Sequence, residues 1–152
     1  MPLSDYLPDR RILLGLESRS KQEALRETLG LFRGEPGVND AAALASAVEK
    51  RDAPTLFENH CGILIAHGRT NAVEKLVMAV GRCKNQIIEP GAAAALRLVF
   101  VAGIPSAFDS EYLRSVGAIA RICRNPETLQ ALLECEQSSD FAEILNREEL
   151  AF

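Results

Sequence analysis

The residues of this chain best suited to chemistry lie in the stretch CGILIAHGRTNAV, residues 61–73. His67 ends an apolar run and is followed directly by Gly68, Arg69 and Thr70. A neutral imidazole is a good nucleophile toward phosphorus, because much of it is unprotonated near neutral pH. Arg69 and Thr70 supply donors for phosphoryl oxygens, and a glycine lets the backbone approach closely. The pattern indicates a phosphohistidine site, although spacing alone leaves open a structural histidine where a strand ends.

The other histidine and the four cysteines suggest no second site. Residue types alone would permit zinc at His60, Cys61 and His67, but a fourth ligand and a known spacing are missing, so no metal site is predicted. An exposed loop residue is the alternative for His60. No C-x-x-C pair occurs, so we expect small buried hydrophobes rather than disulfides at Cys61, Cys83, Cys123 and Cys135.

Composition narrows the class of protein. A chain of 152 residues, 47% of them apolar, is expected to form one globular domain, residues 1–152. The net charge of −4 argues against a nucleic-acid binder. The apolar runs are too short to span a bilayer, and the start MPLSDYLPDRR lacks the order of a signal peptide. We therefore expect a cytoplasmic protein without direct membrane insertion.

The first two thirds of the chain predict a strand, two helices and three further strands. A strand over 11–16 precedes a capping box of Ser20 and Glu23, whose helix ends before Gly34. A second helix begins at Asn39 or Asp40 and runs to about Lys50. Continuous apolar runs at 62–67, 75–80 and 96–104 fit strands buried on both faces. After the Pro90–Gly91 turn, the alanine run fits a helical turn or a loop.

The last third of the chain predicts three helices. Asp109 or Ser110 would cap the first, Asn125 followed by Pro126 begins the second, and a short helix ends the chain. Their expected buried faces are Leu113, Val116, Ile119, Ala120 and Cys123; then Leu129, Leu132 and Leu133; then Phe141, Ile144 and Leu145. The predicted fold class is α/β: one domain with a mixed, mostly buried sheet and helices on both faces.

Beyond these patterns, the stretches AVEKRDA, GILIAHGRT, LRLVFVAGIP and EYLRSVGAIARI resemble the enzyme IIA (EIIA) family of the sugar phosphotransferase system, in its fructose, mannitol and nitrogen-regulatory branch. Family members show an Arg-Glu pair, a Ser-Thr-Gly turn and a Gly-x-Ala-Ile-Pro-His-(Ala/Gly)-Arg signature, which Gly62, His67 and Arg69 match. The resemblance implies the phosphotransferase/anion-transport-like EIIA fold. It also implies that His67 accepts phosphate from the carrier HPr and passes it to a IIB domain, with Arg51 assisting.

The chain departs from the family pattern at several positions. Asp52 replaces the glutamate, and Ala66 stands where proline is usual. Leu56, Phe57 and Glu58 occupy the Ser-Thr-Gly positions, so those hydroxyls are missing. The second histidine of many members appears as Tyr112, which can still form a hydrogen bond to an imidazole nitrogen. His60 occupies a family glycine position and is a candidate for the lost partner.

The resemblance implies a phosphocarrier with catalytic His67 and Arg51, in a regulatory or sugar-uptake role, with HPr and a IIB domain or a regulatory target as partners. Supporting residues would be Arg69, Gly68, Tyr112 and His60. No metal or small cofactor is needed for such transfer. The alternative is a binding module that has lost transfer and uses Leu56 and Phe57 as an apolar contact, although either residue could equally belong to the core. Arg51 would then be a solvated charge at a helix end, and Arg69 a partner-facing charge. For a working site we predict a surface-accessible His67 ring within a few ångströms of the Arg51 guanidinium.

Overall fold

A five-stranded mixed sheet forms the centre of the computed structural model, which describes residues 2–106 and 111–150. In chain order its strands are β1 (Ile12–Leu16), β2 (Thr55–Glu58), β3 (Cys61–Arg69), β4 (Val77–Ile87) and β5 (Leu96–Ile104). They lie in the order β1-β4-β5-β3-β2. β1 and β3 run parallel to β4 and β5 respectively, whereas the β4–β5 and β2–β3 pairs are antiparallel. The prediction of a mixed sheet is confirmed.

Five helices cover the two faces of this sheet. They are α1 (Lys21–Leu29), α2 (Ala41–Glu49), α3 (Glu111–Arg124), α4 (Pro126–Glu134) and α5 (Ser138–Leu150), with short 3-10 turns at Leu3–Asp5, Asp9–Arg11 and Gly30–Phe32. Residues of α1 and α2 share one buried cluster with Leu64 and Val99. Residues of α3 to α5 share the other with Ile63 and Phe100. Consecutive strand residues thus face opposite helical layers, which confirms the predicted fold class.

The helix starts follow from local capping. The Ser20 hydroxyl accepts the Glu23 N–H at 3.2 Å, and the Asp40 carboxylate accepts the Ala43 N–H at 3.0 Å. Asn125 Oδ1 accepts the N–H groups of Glu127 and Thr128 ahead of α4, whose first residue is Pro126. These side-chain oxygens satisfy N–H groups that have no partner within the helix. The predicted cap at Asp109 or Ser110 lies outside the described residues.

Two predictions of local structure need correction. Strand β2 was not predicted, because at the rim of the sheet it shows no simple alternation, and its two central side chains, Leu56 and Phe57, are exposed. Leu113 was predicted to be buried but is 66% exposed. At 100° per residue it lies about 120° around α3 from the buried Ile119, so it points away from the sheet. Leu133 and Val116 are half-buried.

Other details refine the prediction. β4 extends seven residues beyond the predicted Val80, through a polar stretch that ends at the buried Ile87. The alanine run after Gly91 is a loop. All four cysteines are free; Cys61, Cys83 and Cys123 are buried, and Cys135 is half-buried. Within the described ranges, no helix is both long and apolar enough to cross a membrane.

Candidate functional site

His67 is the seventh of the nine residues of β3, where it pairs with Ala102 of β5. Because side chains alternate along a strand, Ile63, Ile65 and His67 point toward the α3–α5 layer. The imidazole is half-buried near the carboxyl end of β3. The strand therefore holds a half-exposed histidine at the edge of the core.

Tyr112 holds the His67 ring. Its Oη lies 2.8 Å from His67 Nδ1, and the two rings are 4.7 Å apart with a tilt of 42°. Tyr112 stands seven residues, about two helical turns, before Ile119, so it faces the sheet from the first turn of α3. Burial raises the pKa of Tyr112 to about 12, so the hydroxyl stays protonated near neutral pH. The contact engages Nδ1, whereas Nε2 has no hydrogen-bond partner among residues 2–106 and 111–150.

A cavity of about 270 Å³ opens beside this pair. Strand β2 pairs with β3 only as far as Thr55 opposite Leu64, so the rim of β3 continues past β2 toward His67. The chain that leaves α2 comes to this part of the rim. The cavity is lined by Arg51, Asp52, Ala53, Pro54, Leu56, Ile65, His67, Tyr112 and Val116. The walls are mostly apolar, with the cationic Arg51 and the anionic Asp52 among them.

The electrostatic surroundings keep His67 neutral. Burial lowers the pKa of the imidazole below its usual value, and the charges of Arg51 and Arg69 lower it further. At pH 7 the ring is therefore predominantly unprotonated, which is the form that attacks phosphorus. The same two cations attract an incoming anionic phosphoryl group. Arg51 thus acts electrostatically on His67.

The three residues that follow His67 each make a contact within the fold. A Cβ on Gly68 would lie 2.7 Å from the Val48 nitrogen, so the glycine permits the close packing of β3 on α2. The Thr70 hydroxyl accepts the Ala72 N–H at 3.1 Å, which closes the turn after the strand. Exposed Arg69 donates to the Ser106 carbonyl at 3.5 Å.

His60 is not brought to the cluster. It is exposed in the β2–β3 turn, seven residues from His67 along an extended strand, or about 23 Å at about 3.3 Å per residue. Asn59 and His60 have φ of 50° and 64°, as a two-residue hairpin turn requires. That left-handed backbone gives a reason for glycine at this family position. Across 2–106 and 111–150, no three His, Cys, Asp or Glu side chains are grouped to hold a metal ion.

Sequence reasoning missed part of the cavity wall. Val116 lies four residues after Tyr112, so helical spacing was a usable signal for it. Ala53 and Pro54 carried no such signal, because their place at the rim depends on where β2 begins.

Comparisons with known proteins agree with this geometry. The model of the family described as "Phosphoenolpyruvate-dependent sugar phosphotransferase system, EIIA 2" matches residues 5–148. A nitrogen regulatory protein of Bradyrhizobium diazoefficiens is 26% identical over 133 residues, which cover 87% of this chain and 86% of that protein. A fructose-specific EIIABC component of Bacillus subtilis is 24% identical over 97% of this chain, but the match spans only 23% of that longer protein.

Solved structures share the fold. The nitrogen regulatory protein IIA-Ntr of Neisseria meningitidis superposes with a TM-score of 0.80 at 21% identity, covering 94% of this chain and 98% of that one. Mannitol IIA of Escherichia coli gives 0.70 at 19%, covering 90% and 96%. A complex of mannitol IIA with phosphorylated mannitol IIB, also from Escherichia coli, gives 0.67 at 19%, covering 90% and 94%. The present chain belongs to the EIIA type 2 family of the phosphoenolpyruvate-dependent sugar phosphotransferase system.

Proposed function

We propose that this protein is a cytoplasmic phosphocarrier that accepts a phosphoryl group from phospho-HPr on Nε2 of His67. The observation that carries the proposal is the 2.8 Å contact between Tyr112 Oη and His67 Nδ1 on an accessible, half-buried imidazole. The contact orients the ring and occupies one nitrogen. The His67 side chain lines a cavity that Arg51 also lines.

The transfer is a displacement at phosphorus. In the reactive tautomer Nδ1–H donates to Tyr112 Oη, and the Nε2 lone pair attacks the phosphorus of the donor's phosphohistidine. The new N–P bond forms as the donor's N–P bond breaks, and the bonding electrons return to the donor's imidazole. The Nδ1 proton stays on His67 throughout. No metal or small cofactor takes part in this exchange.

Tyr112 would do part of the work of the family's second histidine. Its hydroxyl accepts from Nδ1–H more strongly as the ring gains positive character, because hydrogen bonds to charged groups are the stronger ones. With its pKa raised to about 12, the hydroxyl does not exchange a proton with the ring near neutral pH. Tyr112 is thus an orienting group, whereas Arg51 and Arg69 supply positive charge for the phosphoryl oxygens.

The partners follow from the surface around His67. HPr would dock over the apolar rim that includes Leu56, which is 40% exposed. The acceptor would be a IIB domain in a sugar-uptake role, or a target protein in a regulatory role. A phosphoryl group adds about two negative charges to this surface. Such a change in charge is sufficient to alter which target binds.

A transfer-deficient binding module is the second candidate. Leu56 and Phe57, 40% and 41% exposed, stand where the family places hydroxyls that support the phosphoryl group. Glu58 adds a negative charge near the same strand end. In this reading the EIIA fold presents an apolar surface to a partner, and His67 stays unmodified.

Intact mass after incubation with phosphoenolpyruvate, enzyme I and HPr distinguishes the two candidates. We expect one acid-labile phosphoryl group on the wild type and on His60→Ala, and none on His67→Ala. The paired histidine variants control for unspecific modification. An unmodified wild type, with HPr of the same organism shown to be phosphorylated, would contradict the phosphocarrier and support the binding module.

A further inference from the structure

The position of Arg51 depends on the short segment that carries it, residues 51–54. At one end, the Arg51 N–H donates to the Val48 carbonyl at 3.2 Å as α2 ends. At the other end, Thr55 begins β2 and pairs with Leu64. Between these anchors the segment lies along the rim of the sheet, and the Arg51 side chain itself is exposed. A contact that fixes the middle of this segment would therefore help to place the guanidinium beside His67.

Lys21 makes such a contact. Its Nζ donates to the Ala53 carbonyl at 3.1 Å, across 32 residues of sequence. Lys21 is the first residue of α1, directly after the N-cap Ser20, so its backbone is fixed by the start of a packed helix. The lysine side chain is half-buried along the way. The hydrogen bond thus ties the 51–54 segment to a rigid element on the α1–α2 face of the sheet.

The 51–54 segment forms a wall between two cavities. Arg51, Asp52 and Ala53 line the cavity of His67, and they also line a cavity of about 380 Å³ that contains Lys21 and the floor residue Leu64. Lys21 does not line the cavity of His67. Lys21 contacts the 51–54 segment from the side of the other cavity. Its effect on His67 is therefore indirect and depends on the position of Arg51.

A lysine at this place runs against the local electrostatics of α1. The amino end of a helix carries partial positive charge, so a cation in its first turn is disfavoured and an anion is preferred. The helix supplies the preferred anion at Glu23 and a regular cap at Ser20. Residues that conflict with the preferences of their own helix are expected near functional sites. The hydrogen bond to Ala53 is such a functional reason for a lysine at position 21.

We infer that Lys21 is a positioning residue, which holds the 51–54 segment so that Arg51 stays beside His67. The inference rests on the proposed function for its effect on transfer, but its effect on the charge near His67 does not require that transfer occurs. In the part of the chain that the structure describes, the charged and titratable groups around the ring are Arg51, Arg69, Asp52 and Tyr112. Of these, Arg51 and Asp52 belong to the segment that Lys21 holds.

The test is an NMR titration of His67 in the unphosphorylated full chain, with Lys21→Met compared with two matched variants. Lys50→Met removes an exposed lysine that lines the same cavity as Lys21, and thus measures the effect of charge alone. Lys21→Arg keeps a donor that reaches Ala53. We expect the pKa of His67 to rise in Lys21→Met beyond any change in Lys50→Met, and to return in Lys21→Arg.

Phosphorylation provides the second readout. We expect Lys21→Met to slow transfer at saturating phospho-HPr about tenfold, since a displacement of about 1 Å in an active site can cost up to 10² in rate. An unchanged pKa of His67 in a folded Lys21→Met protein would overturn the inference, as would a rise no larger than in Lys50→Met. If the wild type takes no phosphate, the proposed function fails separately, and the pKa comparison still decides the role of Lys21.

Discussion

Replacing Tyr112 by phenylalanine removes the hydroxyl 2.8 Å from His67 Nδ1 and keeps the ring that packs against the imidazole at 4.7 Å. A neutral hydrogen bond contributes about 1 kcal/mol, and one to a charged group about 1.5–3 kcal/mol. The bond is thus worth about 1 kcal/mol more as the His67 ring gains positive charge during attack. Losing that difference lowers the rate of phosphorylation about fivefold.

The assay is a quenched time course of phosphorylation by phospho-HPr, together with two-bond ¹H–¹⁵N spectra that report the His67 tautomer. Tyr6→Phe is the matched control, because the buried Tyr6 hydroxyl has no hydrogen-bond partner among the described residues. We expect slower transfer and a lower fraction of Nδ1–H only in Tyr112→Phe. Wild-type kinetics together with an unchanged tautomer in that variant would refute the orienting role.

Further predictions concern the pH dependence of transfer and of stability, the packing at Gly68 and the docking of HPr. Because the pKa of His67 is lowered, the rate of phosphorylation should hold its plateau to below pH 6.5, the usual value for histidine, and a midpoint above 6.5 in a pH–rate profile would contradict this. The lowered pKa also means that His67 binds a proton more tightly in the unfolded chain than in the folded protein. The free energy of unfolding should therefore decrease as pH falls from 6.5. Urea titrations should show a larger decrease for the wild type than for His67→Gln. Gly68→Ala should lower the free energy of unfolding by about 1–3 kcal/mol, since its Cβ would lie 2.7 Å from the α2 backbone. The control Gly15→Ala should be nearly neutral, because no atom lies within 4 Å of its Cβ. Equal melting temperatures of the two variants would contradict the packing argument. Leu113 is 66% exposed and follows Tyr112 directly in α3. Leu113→Asp should raise the KM for phospho-HPr severalfold with little change in kcat, and an unchanged KM would place the docking surface elsewhere.

The parts of the fold that local patterns determine were predicted from the sequence. Strand β5 is apolar at nearly every position, so it had to be buried on both faces, and its bounds agree with the prediction. The caps at Ser20, Asp40 and Asn125 are local hydrogen bonds whose signals lie within three residues. Such features need no knowledge of distant parts of the chain.

Features that depend on long-range packing could not be predicted in this way. Strand β2 exists because a two-residue turn at Asn59 and His60 folds it back onto β3, and its own residues are not patterned. The sequence offered His60 as a candidate partner of His67 on residue type alone. Its distance from His67 is set by the extended strand β3, which separates the two residues. For Leu113 the apolar periodicity was ambiguous, and only the orientation of α3 against the sheet decides which face is buried.

At the site itself, the sequence identified His67, Arg51 and Tyr112 but not their geometry. Their juxtaposition spans 45 residues between His67 and Tyr112, and it depends on β5 leading into α3 beside the end of β3. The positioning role that we infer for Lys21 was not visible at all, because a lysine in a first helical turn carries no motif. Its contact with Ala53 depends on how α1 lies under the rim of the sheet.

The most direct test of the phosphocarrier account is the atom that carries the phosphoryl group. Two-bond ¹H–¹⁵N and ³¹P spectra of protein labelled with ¹⁵N-histidine, recorded after phosphorylation by phospho-HPr, identify both the histidine and the ring nitrogen. The account predicts phosphate on Nε2 of His67, with a proton retained on Nδ1. Phosphate on Nδ1, on His60, or on neither histidine would contradict it.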